Sequence, residues 1–213
     1  LWIADAHTYI KSETDGSVYV PEASSTDEGR IFDYRLSYKK GAAVIHMIRG
    51  ELQNDSLFYS ILRDYLDRYK NNVATGENFK EVLEERTGRD FTAFFNQWFY
   101  GEGYPSITLK WKHEQDTLYL YAFLKSSTTV TPVFNLLTGY KITSFMGDTT
   151  IYRRHLTNYD EWKIYLPGNT DNVMGDPERW LLLTINGVNN ISEYPAEKRP
   201  EQFQLFRAES LKY

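Results

Sequence analysis

The feature that most limits the fold of this chain is a change of hydrophobic period at Gly101-Glu102-Gly103-Tyr104-Pro105. Before it, apolar residues recur at helical spacing, as in Leu57, Phe58, Ile61, Leu62, Tyr65, Leu66 and Tyr69. After it, Ile107, Leu109 and Trp111, then Leu118, Leu120 and Ala122, alternate with polar residues, the period of a strand buried on one side. A chain that carries both periods in this order is expected to be α+β and multidomain. The expected domains are residues 1–103, helical, and residues 104–213, an antiparallel β-sandwich with a C-terminal tail.

Within the first part, residues 1–11 read as the tail of a helix. Residues 12–33 form a polar connection containing Gly16, Pro21 and Gly29, and its length in a compact domain is expected to place it near something functional. Helices are expected from Ser37 through Arg49, from a cap at Asp55 through Tyr69, from Phe79 to Arg86 with Gly88 as C-cap, and from Asp90 through Phe99. The aromatic cluster from Phe91 to Tyr100 reads as core.

Further strands are expected at residues 133–137, 140–145, 149–156, 162–166 and 180–185. Asn169-Thr170-Asp171-Asn172 lacks the spacing and the final Glu of a calcium loop and reads as a turn. A short helix is expected at residues 200–209.

A net charge of -5 and the absence of any concentrated Lys/Arg cluster argue against a nucleic-acid partner. No apolar run approaches the roughly 20 residues of a membrane span, so none is expected. With no Cys in the sequence, disulfides and thiol chemistry are excluded. A catalytic zinc site usually needs three ligands, two of them often His one helical turn apart. Here His7, His46, His113 and His155 are scattered and H-E-x-x-H is absent. No zinc is therefore expected on this chain. His46, among apolar helical positions, reads as a packed core or interface residue, and His113 and His155 as surface or packing residues on strands.

The segment from Ile31 to Arg49 contains Phe32-Asp33, then Tyr38-Lys39-Lys40-Gly41-Ala42, then an apolar stretch ending in Met47-Ile48-Arg49. It resembles the aminopeptidase N-like (gluzincin) zinc peptidase family, whose pattern runs Phe-Asp, Tyr-x-Lys-Gly-Ala and Met-x-Arg. The resemblance continues through Leu57-Phe58, Leu62-Arg63-Asp64-Tyr65, Gly88-Arg89-Asp90, Phe94-Phe95-Asn96-Gln97-Trp98 and Gly103-Tyr104-Pro105. It extends more weakly to Asp176-Pro177 and Trp180-Leu181-Leu182-Leu183.

This resemblance implies the helical part of a thermolysin-like catalytic domain followed by the family's small β-domain. It implies a C-terminal fragment of a zinc-dependent aminopeptidase that removes N-terminal residues from peptides. In the family the zinc ligands and the Gly-x-Met-Glu-Asn strand precede the Tyr segment. The parent is thus expected to hold zinc and a peptide substrate through N-terminal and zinc-binding domains missing here, leaving the chain alone inactive. Tyr38 matches the family's catalytic Tyr, a phenol that donates a hydrogen bond to the oxygen that becomes negative in the tetrahedral intermediate. Phe32 and Tyr34 are substrate-binding candidates lining the channel. Lys40 and Gly41 read as structural, Gly41 permitting close helix packing and Lys40 pairing with a carboxylate or carbonyl. The resemblance suggests an exported, periplasmic or extracellular parent, although the residues leave the compartment open. A non-catalytic peptide-binding or interaction module related to the family is the alternative.

Overall fold

The computed structural model describes residues 2–191; the helix expected at residues 200–209 lies outside the described residues. The backbone divides into two compact units, Leu1–Gly103 with Trp180–Leu182, and Tyr104–Arg179 with the residues from Leu183 onward.

The first unit contains α1 (Trp2–Ile10), α2 (Glu28–Ile31), a π-helix (Tyr34–Lys40), α3 (Gly41–Leu52), α4 (Asp55–Tyr69), α5 (Gly76–Thr87) and α6 (Thr92–Trp98). Its core follows the helical period: Val44, Met47 and Ile48 of α3, Phe58 and Ile61 of α4, Phe79, Val82 and Leu83 of α5, and Phe95 and Trp98 of α6 are all buried. Local chemistry sets the ends. Thr75 and Asn78 form a reciprocal capping box at α5, and Gly88 closes that helix at φ 66°. The cap of α4 is Asn54 rather than Asp55, since the Asn54 side chain accepts the Leu57 N–H at 3.0 Å. Asp55 instead accepts both Nε and Nη2 of Arg49, at 2.7 and 2.6 Å.

Close packing falls on a glycine that the sequence pattern did not single out. Trp180 stacks on His46 with ring centroids 4.7 Å apart and lies under the Arg49 guanidinium at 5.5 Å. A Cβ on Gly50 would meet the Trp180 Cβ and Cγ at 2.7 Å. At Gly41, by contrast, a Cβ would make an ordinary 3.7 Å contact with Val18, so helix packing does not require that glycine. Gly50→Ala is expected to lower stability by about 1–3 kcal/mol, the usual consequence of overpacking. A urea midpoint unchanged from the parent chain would refute this.

The second unit contains β1 (Pro105–Glu114), β2 (Thr117–Ser126), β3 (Leu136–Ser144), β4 (Gly147–His155), β5 (Tyr159–Tyr165), β6 (Thr170–Gly175) and β7 (Thr184–Asn190). They form a sheet ordered β5-β2-β1-β7 and another ordered β4-β3-β6. With the helices, this makes the chain α+β.

Most pairings are antiparallel, but β7 runs parallel to β1, with an irregularity between Ile107 and Thr108. Three local expectations are corrected. Residues 170–172 belong to β6, which pairs with β3. Residues 133–135 are irregular, although Phe134 is buried. The last strand starts at Thr184, because Trp180–Leu182 leaves the sheet and joins the helical unit. A strand and an irregular segment can bury the same apolar residues, so periodicity does not separate them.

A buried polar chain links the two sheets. The Tyr140 hydroxyl lies 2.6 Å from His155 Nε2, and His155 Nδ1 lies 2.9 Å from Asp160 Oδ2. Because the carboxylate only accepts, Nδ1–H donates to it, which leaves Nε2 of a neutral imidazole to accept the phenol proton. Burial pushes the Tyr140 phenol above its ordinary range. Trp162 of β5 packs on His155 of β4 and on Tyr140 of β3, with centroids 5.0 and 5.8 Å away. His155 is therefore a packing residue, fully buried.

Candidate functional site in the π-helix

A π-helix is rare because its wide turn packs the backbone poorly, and it usually occurs as a short insertion at a functional site. Here it spans Tyr34–Lys40 and runs directly into α3, where the sequence pattern predicts an ordinary helix starting near Ser37. Side chains hold it at both ends. The Asp33 carboxylate accepts the Leu36 N–H at 2.7 Å. At the other end, Lys40 is buried and donates to the carbonyls of Gly16 and Gly101, at 2.9 and 3.0 Å.

Two arginines tie the preceding connection to the same place. Arg30 Nη2 donates to the carbonyls of Ser17 and Tyr19 at 2.6 and 2.7 Å. Arg35 donates to the Asp15 carbonyl at 3.0 Å and pairs with the carboxylates of Asp15 and Glu13, at 2.8 and 3.2 Å. Gly16 sits at φ 80°, and a Cβ there would lie 2.5 Å from Leu36 Cδ1, so both its backbone angle and its neighbour favour glycine. The long polar connection is thus a brace for the π-helix.

Phe32, Tyr34 and Tyr38 are 63%, 56% and 53% exposed. Large aromatic rings placed this openly on a braced segment are available for contact with another molecule. The Tyr38 ring meets Tyr34 at 6.4 Å, and Tyr34 meets Tyr9 of α1 edge-on at 5.5 Å. Lys39 Nζ lies over the rings of Tyr34 and Trp2, at 5.1 and 5.7 Å. Tyr34, Tyr38 and Lys39 thus share one aromatic, cationic surface; no ring contact connects Phe32 to it.

Chemically, this surface can donate hydrogen bonds through its phenol O–H groups and stabilise negative charge beside the Lys39 ammonium. Asp33, Arg30 and Arg35 are supporting residues that the sequence reading did not pick out. The signal for Arg35 is charge complementarity with Glu13 and Asp15, some twenty residues earlier, which cannot be paired without the fold; Arg30 and Asp33 bond to backbone groups and leave no such signal.

Among the described residues, no group of three or more His, Cys, Asp or Glu could hold a metal ion. The donor chemistry agrees: His155 is committed to Tyr140 and Asp160, and His113 Nδ1 lies 2.8 Å from Thr170 Oγ1. These residues do not fit a zinc site. The helical unit also encloses a cavity of about 470 Å³ lined by Val44, Ile45, Leu62, Phe79, Phe95 and Phe99 among others. Apart from the Tyr65 phenol and the Thr75 hydroxyl its lining is apolar, with no carboxylate, imidazole or cation.

Residues 5–98 match the peptidase family M1 domain. The chain is 30% identical over 152 residues to a probable aminopeptidase 2 of Sulfurisphaera tokodaii, covering 64% of this chain and 19% of that protein. It is 33% identical over 101 residues to an aminopeptidase N of Lactococcus lactis, covering 46% of this chain and 12% of the relative. It is 35% identical over 112 residues to aminopeptidase M1-C of Oryza sativa, covering 53% and 12% respectively. The chain therefore spans about a fifth or less of the length of these relatives.

In fold it is similar to the crystal structure of Legionella pneumophila aminopeptidase A in complex with aspartic acid. The TM-score is 0.61 at 12% identity, over 83% of this chain and 20% of that one. The family match falls on the segment that carries the braced π-helix and its exposed tyrosines, and the relatives named above are aminopeptidases: residues 5–98 belong to the aminopeptidase N-like M1 peptidase family.

Proposed function

We propose that this chain is part of a zinc-dependent aminopeptidase and that Tyr38 supplies its phenol as a hydrogen-bond donor to the oxyanion formed when an N-terminal peptide bond is attacked. The observation that carries this reading is the π-helix Tyr34–Lys40, anchored at both ends, which presents Tyr38 half-exposed with no hydrogen bond from its hydroxyl among the described residues. A preorganised donor of this kind stabilises charge that develops only in the transition state. Tyr34 and Phe32 line the approach of the peptide on the same reading.

In this proposal residues 1–103 are the helical part of a thermolysin-like catalytic domain, and the two sheets of residues 104–213 form a β-sandwich. The contacts of Trp162 with Tyr140 and His155 support the second assignment. Zinc and the remaining substrate contacts belong to residues of the parent enzyme beyond these 213. The chain alone is expected to retain less than about a tenth of an equivalent of zinc after dialysis, since four scattered His and no Cys cannot supply a conventional tetrahedral set. Stoichiometric zinc on the purified chain would overturn this division of labour. The test of the functional reading itself is Tyr38→Phe in the full-length protein. A non-catalytic binding module is the outcome if that protein hydrolyses no aminoacyl substrate at all.

A further inference from the structure

We propose that Lys40 is a positioning residue for Tyr38: its amine, inserted between the carbonyls of Gly16 and Gly101, fixes the C-terminal end of the π-helix and thereby the direction in which the Tyr38 phenol points. This rests on the reading of Tyr38 as the oxyanion donor and adds to it the device that aims the donor.

Three observations carry the inference. First, the Tyr38 side chain is half-exposed and its only ring contact among the described residues is with Tyr34, itself exposed. Little side-chain packing fixes the phenol, so its direction depends on the backbone. Second, that backbone is a π-helix, which needs outside support. The Gly41 N–H reaches the carbonyls of both Leu36 and Tyr38, so the peptide of Tyr38 is bonded into the turn that Lys40 ends. Third, Lys40 is 2% exposed yet, among the described residues, contacts no carboxylate directly; its partners are backbone carbonyls of two separate segments. A buried lysine carries a desolvation penalty, and spanning two loops with it is a poor way to gain stability alone. It is an effective way to fix their position.

The amine has enough donors in either protonation state, because a neutral amine keeps two N–H groups for the two carbonyls. Burial lowers its pKa to about 8; Glu102 and Asp15 pull it up, while Arg35 and Arg30 push it further down.

The test is a double-mutant cycle on kcat in the full-length protein, with Tyr38→Phe, Lys40→Met and the pair. Lys40→Met is expected to lower kcat roughly 10- to 100-fold, the effect of a small misplacement of a catalytic group, with KM changed less than about three-fold. In the Tyr38→Phe background the same change should have little further effect, because Lys40 acts through the phenol. If Tyr38→Phe lowers kcat but Lys40→Met has no effect, or the same effect in both backgrounds, the positioning role is wrong and the Tyr38 reading stands. If Tyr38→Phe leaves kcat unchanged, both are wrong.

Should Lys40→Met fail to fold, the unmodified protein still decides. Opening of the π-helix exposes Lys40 to water, where its pKa returns toward 10.5. Amide protection at residues 36–41 should therefore rise roughly twenty-fold between about pH 7.5 and pH 9.5, after correction for intrinsic exchange. Protection that stays flat there would show that Lys40 does not hold the segment.

Discussion

Replacing Tyr38 by Phe in the full-length protein should lower kcat by on the order of 10²–10³, with little change in KM or in stability. The size follows from where the donor acts. A ground-state carbonyl gains little from one more hydrogen bond, whereas the oxygen of a tetrahedral intermediate carries nearly a full charge. Phe keeps the ring and its 6.4 Å contact with Tyr34. It removes only the hydroxyl, which makes no hydrogen bond among the described residues, so the fold has almost nothing to lose. A loss of about 2.7–4 kcal/mol of transition-state stabilisation with an unchanged unfolding midpoint separates a catalytic from a packing role. An unchanged kcat would place Tyr38 among the packing residues.

Stability should rise with pH through Lys40, contrary to the behaviour of a lysine in an ion pair. The folded-state pKa is depressed to about 8 from an ordinary 10.5, chiefly by burial. Between those values the unfolded chain holds a proton that the folded chain has released, so unfolding takes up protons and becomes harder as pH increases. Below pH 8 the penalty for burying the charge is fully present; it fades as pH climbs to 10.5. Integrated from about pH 7 to about pH 9.5, the change is about 2 kcal/mol. Tyrosines whose folded pKa is raised, such as Tyr100 at about 12 through burial and then its bond to Glu77, act in the opposite sense at higher pH. The comparison therefore belongs below pH 10, and against Lys40→Met, in which the rise attributable to Lys40 should vanish. Parallel stability profiles for the two proteins would refute it.

Some of the architecture was legible residue by residue. The recurrence of Phe79, Val82 and Leu83, with Thr75 before them and Gly88 after, identifies α5 because periodicity and caps are local properties. The alternation of Ile107, Leu109 and Trp111 does the same for β1. Asn54 and Asp55 are equivalent as caps in the sequence because both side chains can cap a helix, and only the Arg49 guanidinium, which draws Asp55 away, decides between them. Residues 169–172 look like a turn until β3 supplies the partner whose hydrogen bonds make 170–172 part of a strand.

The candidate site divides in the same way. Tyr38, Tyr34 and Phe32 could be picked out from the sequence through the motif that contains them; for Lys40 the sequence leaves a carboxylate or a carbonyl open as its partner, and the fold supplies two carbonyls. That residues 34–40 form a π-helix was not legible, because its wide turn is stabilised by contacts with Gly16 and Gly101, far away in the chain. The same holds for the brace made by Arg30 and Arg35, and for the removal of Trp180 from the last strand to lie against Gly50 and His46. What the sequence by itself determined is the change from helices to strands, most of those elements, the caps of α5 and the motif, since each depends on side chains a few residues apart. Which way the tyrosines face, and what holds them there, only the tertiary structure decided, because those interactions join segments brought together by folding alone.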